Sequence, residues 1–198
     1  MFVTFEGVDG SGKTTQVRLL AEHLRLEGRD VVETREPGGT TVGEQVRRIL
    51  LEGDRIAPWA ETALFVAARA QLVDEVIGPA VARGADIVCD RYLDSSLAYQ
   101  GLARGLGFER VLEMNLAAVG GLFPDRTFVL VVPIEEAVRR RGENPDRIEG
   151  EGREFLEAVD RAYHELADMF AQRVVLLDGT ESPESLARLI RGQLRDLS

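Results

Sequence analysis

Gly7-Val8-Asp9-Gly10-Ser11-Gly12-Lys13-Thr14, directly after the apolar run Phe2-Val3-Thr4-Phe5, is the stretch on which the reading of this chain turns. Its form is G-x-x-x-x-G-K-S/T. In that pattern a glycine-rich turn and the following helix N-terminus aim backbone N–H groups at phosphate oxygens, and the lysine reaches the β and γ phosphates. The pattern demands a buried strand before it and a helix after it. Phe2 to Phe5 is short and β-prone, and Val17, Leu20, Ala21 and Leu24 recur at helical spacing. Lys13 is the only lysine in the chain, every other long basic side chain being arginine. A slim ammonium on a flexible stem survives where a planar guanidinium is too bulky for the cradle. Gly7, Gly10, Ser11, Gly12, Lys13, Thr14 and Thr15 are therefore the expected ATP-phosphate cradle.

Outward from this loop, short apolar runs alternate with longer amphipathic segments. Strands are expected at Phe2 to Phe5, Asp30 to Thr34, Asp86 to Cys89, Arg126 to Val132 and Arg173 to Leu177, without the polar alternation of a half-exposed sheet. Helices are expected near 13–27, 41–52, 60–83, 94–103, 108–119, 134–141, 153–171 and 183–196. The expected fold is α/β: a P-loop NTPase-like, five-stranded parallel sheet flanked by helices, one domain over 1–198 with a small arginine-rich lid at about 139–152. Ligands of such sheets bind at the carboxyl ends of the strands.

The 198 residues, 44% of them hydrophobic, suit one compact core. A net charge of -10 argues against nucleic acid or an anionic membrane as partner and makes local arginine clusters informative. No long apolar span and no basic-then-apolar leader occur, so a cytoplasmic protein is expected. Cys89, the lone cysteine, reads as a small buried hydrophobe.

Each expected strand end carries a candidate group. After the second strand, Thr34-Arg35-Glu36-Pro37-Gly38-Gly39-Thr40 reads as a turn with an N-cap, a reading that leaves Arg35 unexplained. An arginine at that place suits a bidentate grip on a second phosphate. The third strand ends in Asp90-Arg91-Tyr92. A carboxylate there is placed for the shell of a magnesium ion, with the Thr14 hydroxyl as a further ligand; a strand-end salt bridge is the alternative. Arg139 to Arg147 is broken by Gly142, Asn144 and Pro145 into a cationic loop able to close over a phosphoryl group, with the reaching arginine undetermined. Phe65 and Arg69 share a helix face, either as core ring plus surface cation or as a base-stacking ring beside a carbonyl donor.

These motifs, with Leu64-Phe65-Val66-Ala67-Ala68-Arg69, Ser95-Ser96, Tyr99-Gln100-Gly101 and Asp146-Arg147-Ile148-Glu149, resemble those of the thymidylate kinases over essentially the whole chain. The resemblance implies Mg2+-ATP as phosphoryl donor, dTMP as acceptor and dTDP and ADP as products, on a homodimer. It implies that Asp9 holds the deoxyribose 3′-hydroxyl and Arg35 the acceptor phosphate, that Phe65 lies on thymine, Arg69 at its O4 and Ser96 near N3, and that Tyr99 fills the 2′ side of the sugar; Arg91 and Gln100 belong to the same acceptor set. With glycine at position 10, the chain resembles the members whose catalytic arginine sits in the lid. That puts the charge on Arg141 and Arg147, beside Lys13 and Arg91, and makes an arginine introduced at position 10 an expected partial substitute. The nucleophile is a phosphate oxygen already anionic near neutral pH, so no general base is required. Another nucleoside monophosphate kinase and a P-loop switch or assembly ATPase are the alternatives.

Overall fold

The computed structural model describes residues 1–142 and 146–197. Five strands, β1 (Phe2–Glu6), β2 (Val31–Arg35), β3 (Asp86–Asp90), β4 (Arg126–Val131) and β5 (Val174–Asp178), form one sheet in the order β2-β3-β1-β4-β5. Every pairing is parallel, giving the expected P-loop NTPase-like architecture. Nine α-helical segments are described: α1 (Lys13–Leu26), α2 (Thr41–Glu52), α3 (Pro58–Leu72), α4 (Gly78–Ala82), α5 (Leu93–Ser96), α6 (Phe108–Val119), α7 (Ile134–Arg141), α8 (Arg153–Met169) and α9 (Pro183–Gln193).

The sheet is buried because its strands feed two cores through their period of two. Val3 and Phe5 of β1, with Val88 and Phe128, pack against Val17, Leu20 and Leu24 of α1 and Leu186 and Ile190 of α9. Phe2, Ile87, Cys89 and Val129 belong to the opposite core with Leu97, Val111, Val159 and Leu166. A smaller cluster of Val46, Leu50 and Ala68 joins α2 to α3.

The sequence-based boundaries shift most informatively at the carboxyl ends of the strands. β1, β2 and β3 each run one residue beyond the apolar stretch, to Glu6, Arg35 and Asp90. Parallel pairing continues through these polar residues, with Phe5 level with Asp90 and Arg35 level with Asp90. Polarity made the reading stop early, whereas the backbone ladder is indifferent to it. At the other ends β2 and β5 start one residue late, at Val31 and Val174.

Two expected α-helices contain π-helical stretches. The segment read as 60–83 starts at Pro58, switches to π geometry over Val73–Ile77 and resumes as α4. Pro79 has no N–H for the preceding turn and its ring crowds that turn's carbonyl, and the wider π turn relieves both conflicts. The segment read as 94–103 is α-helical only through Ser96 and π-helical over Leu97–Ala103. That widened turn carries Tyr99 and Gln100.

Candidate active site

The phosphate loop joins β1 to α1, and its glycines are there for space as well as turn geometry. A Cβ on Gly7 would stand 2.5 Å from the Leu130 carbonyl oxygen, and Gly7 has φ 129°. A Cβ on Gly10 would stand 2.2 Å from the carbonyl oxygen of Ala137 in α7, at φ 86°. The loop is therefore packed against the helix that leads into the lid. Gly12 precedes α1 without any side-chain cap, and the first turn of α1 holds no acidic residue, so the positive helix end faces the cavity uncompensated. Ser11 Oγ, buried in the same loop, has no hydrogen-bond partner among the described residues. Lys13 is 5% exposed, and its ammonium donates to Val8 O and Asp9 Oδ1, both at 3.0 Å.

At the end of β3, Thr14 Oγ1 donates to Asp90 Oδ2 at 2.6 Å. Arg91 follows with φ 68°, the only non-glycine residue with positive φ among those described. For an arginine that conformation is strained and is held by its surroundings. Its guanidinium pairs with Asp9, donates to Ser95 Oγ at 3.1 Å and to the Tyr99 and Tyr163 hydroxyls at 3.4 Å, and lies 5.3 Å from the Tyr99 ring centre. Below it, Glu6 is fully buried and accepts from Tyr92 N at 2.8 Å, Ser95 N at 3.2 Å and the Tyr163 hydroxyl at 2.8 Å. Burial raises the Glu6 carboxyl above its ordinary range. Glu6 thus ties the end of β1 to the turn after β3.

After β2, Arg35 donates to Glu44 Oε1 and Oε2 at 3.0 and 3.2 Å, while the Gly39 N–H donates to the same carboxylate at 3.0 Å. The Gly39 and Arg35 donors hold Glu44 below the usual carboxylate range. A guanidinium and a backbone N–H thus converge on one anion, as they would on a phosphate.

Arg69 occupies a different place from its neighbour on the helix. Phe65 lines the cavity, whereas Arg69 is 1% exposed behind it. Its five donors are distributed over Glu36, at 2.8 Å from Nε and 2.5 Å from Nη2, Ser96 Oγ at 3.0 Å, Asn115 Oδ1 and Tyr92 O at 2.9 Å. The reading as a surface cation therefore fails. In this arrangement Arg69 steadies Ser96 and Glu36, which do line the cavity. Glu36 Oε1 has no hydrogen-bond partner among the described residues, and burial outweighs the Arg69 charge, pushing the carboxyl up to about 7. The folded carboxyl keeps its proton where an ordinary glutamate, near 4.5, has lost it. The stability this contributes is present at low pH and lost as pH rises to about 7. Against Glu36→Gln, which does not titrate, the wild-type Tm is expected to fall by several degrees between about pH 5 and 7.5 and then level off. A relative Tm that stays flat across that window would mean the carboxyl is already ionised in the fold.

The two lid arginines are separated. Arg140 and Arg141 line the cavity, with Arg140 paired to Glu136 and donating to Gly179 O at 2.9 Å. Arg147 faces elsewhere: Nε donates to Leu50 O at 2.8 Å and Nη2 to Glu61 Oε2 at 2.6 Å. Of the residues expected to break the lid helix, Gly142 does follow its last residue, Arg141, while Asn144 and Pro145 lie outside the described residues.

One continuous cavity of about 1180 Å³ is lined by the phosphate loop, Asp9, Asp90 and Arg91, by Arg35 and Gly39, and by Phe65, Ser96, Tyr99 and Gln100, with Arg91 reaching from Asp9 to the Tyr99 hydroxyl. Tyr99 is nearly buried, packed edge-on to Phe155 and Tyr163. Sequence reasoning missed Glu6, Glu36, Glu61, Arg104 and Tyr163. The available signal was an acid at the end of a buried strand or on the interior face of a helix, where it must have a partner.

A phosphate loop, a carboxylate beside its threonine, and arginines at a second anion-binding position define a nucleotide-dependent phosphotransferase of the P-loop class. The thymidylate kinase family model matches residues 5–190. The chain is 48% identical to the thymidylate kinase of Caldanaerobacter subterraneus subsp. tengcongensis over 191 residues, 96% of this chain and 92% of that one. It is 41% identical to that of Chlorobaculum parvum, with 100% and 96% covered. The crystal structure of thymidylate kinase from Ehrlichia chaffeensis superposes with a TM-score of 0.77 at 29% identity, covering 98% of this chain and 97% of that one. The chain belongs to the thymidylate kinase family, whose reaction is phosphorylation of dTMP by ATP.

Proposed function

We propose that the enzyme performs this reaction with the ATP phosphates on Gly7 to Thr15 and dTMP laid along the rest of the cavity. The observation that carries this is that one cavity takes in the phosphate loop, a second set of anion-binding donors, and aromatic and amide side chains. In this reading Arg35 and the Gly39 N–H hold the acceptor phosphate, exchanging Glu44 for it. Asp9 takes the sugar 3′-hydroxyl, Phe65 stacks on the base, Ser96 and Gln100 meet its N3 edge, and Tyr99 fills the 2′ side. Arg69 reaches O4 by exchanging one of its internal acceptors. Lys13, Arg91 and Arg141 surround the transferring group; Arg147 is taken up below.

Mg2+ fits the donor set: among the described residues no cluster of three His, Cys, Asp or Glu could cage a metal, and Thr14 and Asp90 offer a hydroxyl and a carboxylate 2.6 Å apart. Such a pair suits an ion that takes its remaining oxygens from phosphates and water. Held by Thr14 and Asp90, such an ion would offset the charge of the phosphates. No helix among the described residues is long and apolar enough to cross a membrane. We place the enzyme in the cytoplasm, as a homodimer that covers Val42 and Ile49 of α2, Trp59 of α3 and Leu116 of α6, all exposed in the single chain.

ADP release measured over a panel of nucleoside monophosphates tests the acceptor assignment. Because a site built to meet one hydrogen-bond pattern leaves buried groups unpaired against another, dTMP should exceed dCMP by about 100-fold or more in kcat/KM. Comparable rates on the two would remove Phe65, Ser96 and Gln100 from the base end.

A further inference from the structure

Glu61, in the first turn of α3, is a carboxylate that the phosphoryl chemistry does not use, yet it is 1% exposed and serves three side chains. Its Oε1 accepts from Gln100 Nε2 and Arg104 Nε, both at 2.9 Å. Its Oε2 accepts from Arg104 Nη2 at 3.2 Å and Arg147 Nη2 at 2.6 Å. These partners come from two places: Gln100 and Arg104 from the π-helical turn at the base end and its exit, Arg147 from the lid.

The lid is fastened on both sides of this carboxylate. Arg147 N donates to Leu51 O at 3.2 Å and Arg147 Nε to Leu50 O at 2.8 Å, so a lid cation caps the last turn of α2, which carries no basic residue of its own. Arg104, whose guanidinium lies 4.7 Å from the Phe155 ring centre, pairs outward with Glu151 near the end of the lid. With the lid docked, the cluster of Glu61, Glu151, Arg104 and Arg147 holds two carboxylates and two guanidinia, one of each from the lid. Withdrawal of Arg147 removes one of the two guanidinia from a buried carboxylate, a costly change in low dielectric.

Gln100 links the cluster to recognition. It lines the cavity, and its Nε2 is committed to Glu61, a group that can only accept. The amide is thereby fixed with its carbonyl end as the one available to a ligand. A carbonyl there matches a pyrimidine with N3–H and opposes one whose N3 is an acceptor.

We propose that Glu61 is a positioning residue with two separable roles: it latches the lid through Arg147, and it sets the orientation of the Gln100 amide that faces the base. On this assignment Arg147 acts as the lid's latch and Arg141 is the lid arginine of the phosphoryl end. The base-selection half rests on the acceptor assignment above; the latch half does not.

Glu61→Gln keeps the shape but can donate as well as accept, so it weakens the latch and lets Gln100 turn over. Trypsin digestion of the unliganded enzyme should then cut at Arg139 to Arg141 about ten-fold faster than in wild type. The dTMP-over-dCMP ratio in kcat/KM should fall by about ten-fold. Arg147→Gln should accelerate the same cleavage without changing the ratio, and the double variant should cleave no faster than the faster single one, because both remove one contact. Unchanged cleavage in Glu61→Gln, or cleavage effects that multiply, would overturn the latch. An unchanged ratio would overturn the link to Gln100. If Glu61→Gln does not fold, Glu151→Gln, which loosens only the outer hold on Arg104, must give a smaller acceleration, and none would count against the latch. A wild-type panel that fails to prefer dTMP undoes the acceptor assignment while leaving the cleavage comparison intact.

Discussion

Lys13→Ala is expected to lower kcat by about 100-fold or more, roughly 3 kcal/mol in the barrier, while the affinity for dTMP changes little. The ammonium is buried at the positive end of α1 and rests on Val8 O and Asp9 Oδ1 at 3.0 Å. Both acceptors fix where it points, and neither replaces the phosphate charge it would meet in the transition state. Lys13→Arg should fail to rescue turnover, because a planar fork cannot occupy the space of a single nitrogen in a 5% exposed position. Steady-state kinetics with both substrates varied, together with dTMP titration of the inactive variant, separates the two effects. An arginine variant with near-normal kcat would show that this lysine is spared for some reason other than fit.

The second large effect is at position 10, where structure reverses the expectation from sequence. From the family resemblance, an arginine there was expected to stand in partly for a lid arginine. Yet the first side-chain atom at Gly10 would lie 2.2 Å from Ala137 O and 3.2 Å from Ala137 Cα, at φ 86°. Those are backbone atoms of α7, so no rotamer relieves the clash. Gly10→Ala and Gly10→Arg should each lower stability by about 2 kcal/mol or more. Each should also lower kcat by about 100-fold, because α7 ends in the arginines that line the cavity. Thermal unfolding and kcat of the two variants check this. Wild-type kcat in Gly10→Ala would show that α7 gives way freely.

Much of this was legible in the sequence, for identifiable reasons. The octet from Gly7 to Thr14 implies both flanking elements because its chemistry requires them, and β1 and α1 are found there. Parallel strands buried on both faces announce themselves as unbroken apolar runs, and all five were located to within a residue or two at each end. The missed parts depend on contacts remote in the chain. Nothing near Glu61 foretells that Arg147 will meet it, and Arg69 looks like a surface cation until Glu36, Ser96 and Asn115 close around it. The π turns were missed because a helix that widens by one residue keeps almost the same apolar pattern as one that does not.

The level register of the strand ends also makes the sheet a ruler. Arg35 and the residue before Glu6 both lie level with Asp90, one strand to either side of it. Neighbouring strands lie about 4.8 Å apart, so the ends of β2 and β1 are separated by two fixed steps, about 10 Å, with β3 between them. In the proposed assignment the donor and acceptor phosphates are therefore held from strand ends a fixed interval apart, with Asp90 on the strand between them. That interval is set by peptide geometry and cannot drift with the side chains. Variation in the acceptor loops can change which molecule is held without altering the interval between the strand ends that carry the two phosphate sites.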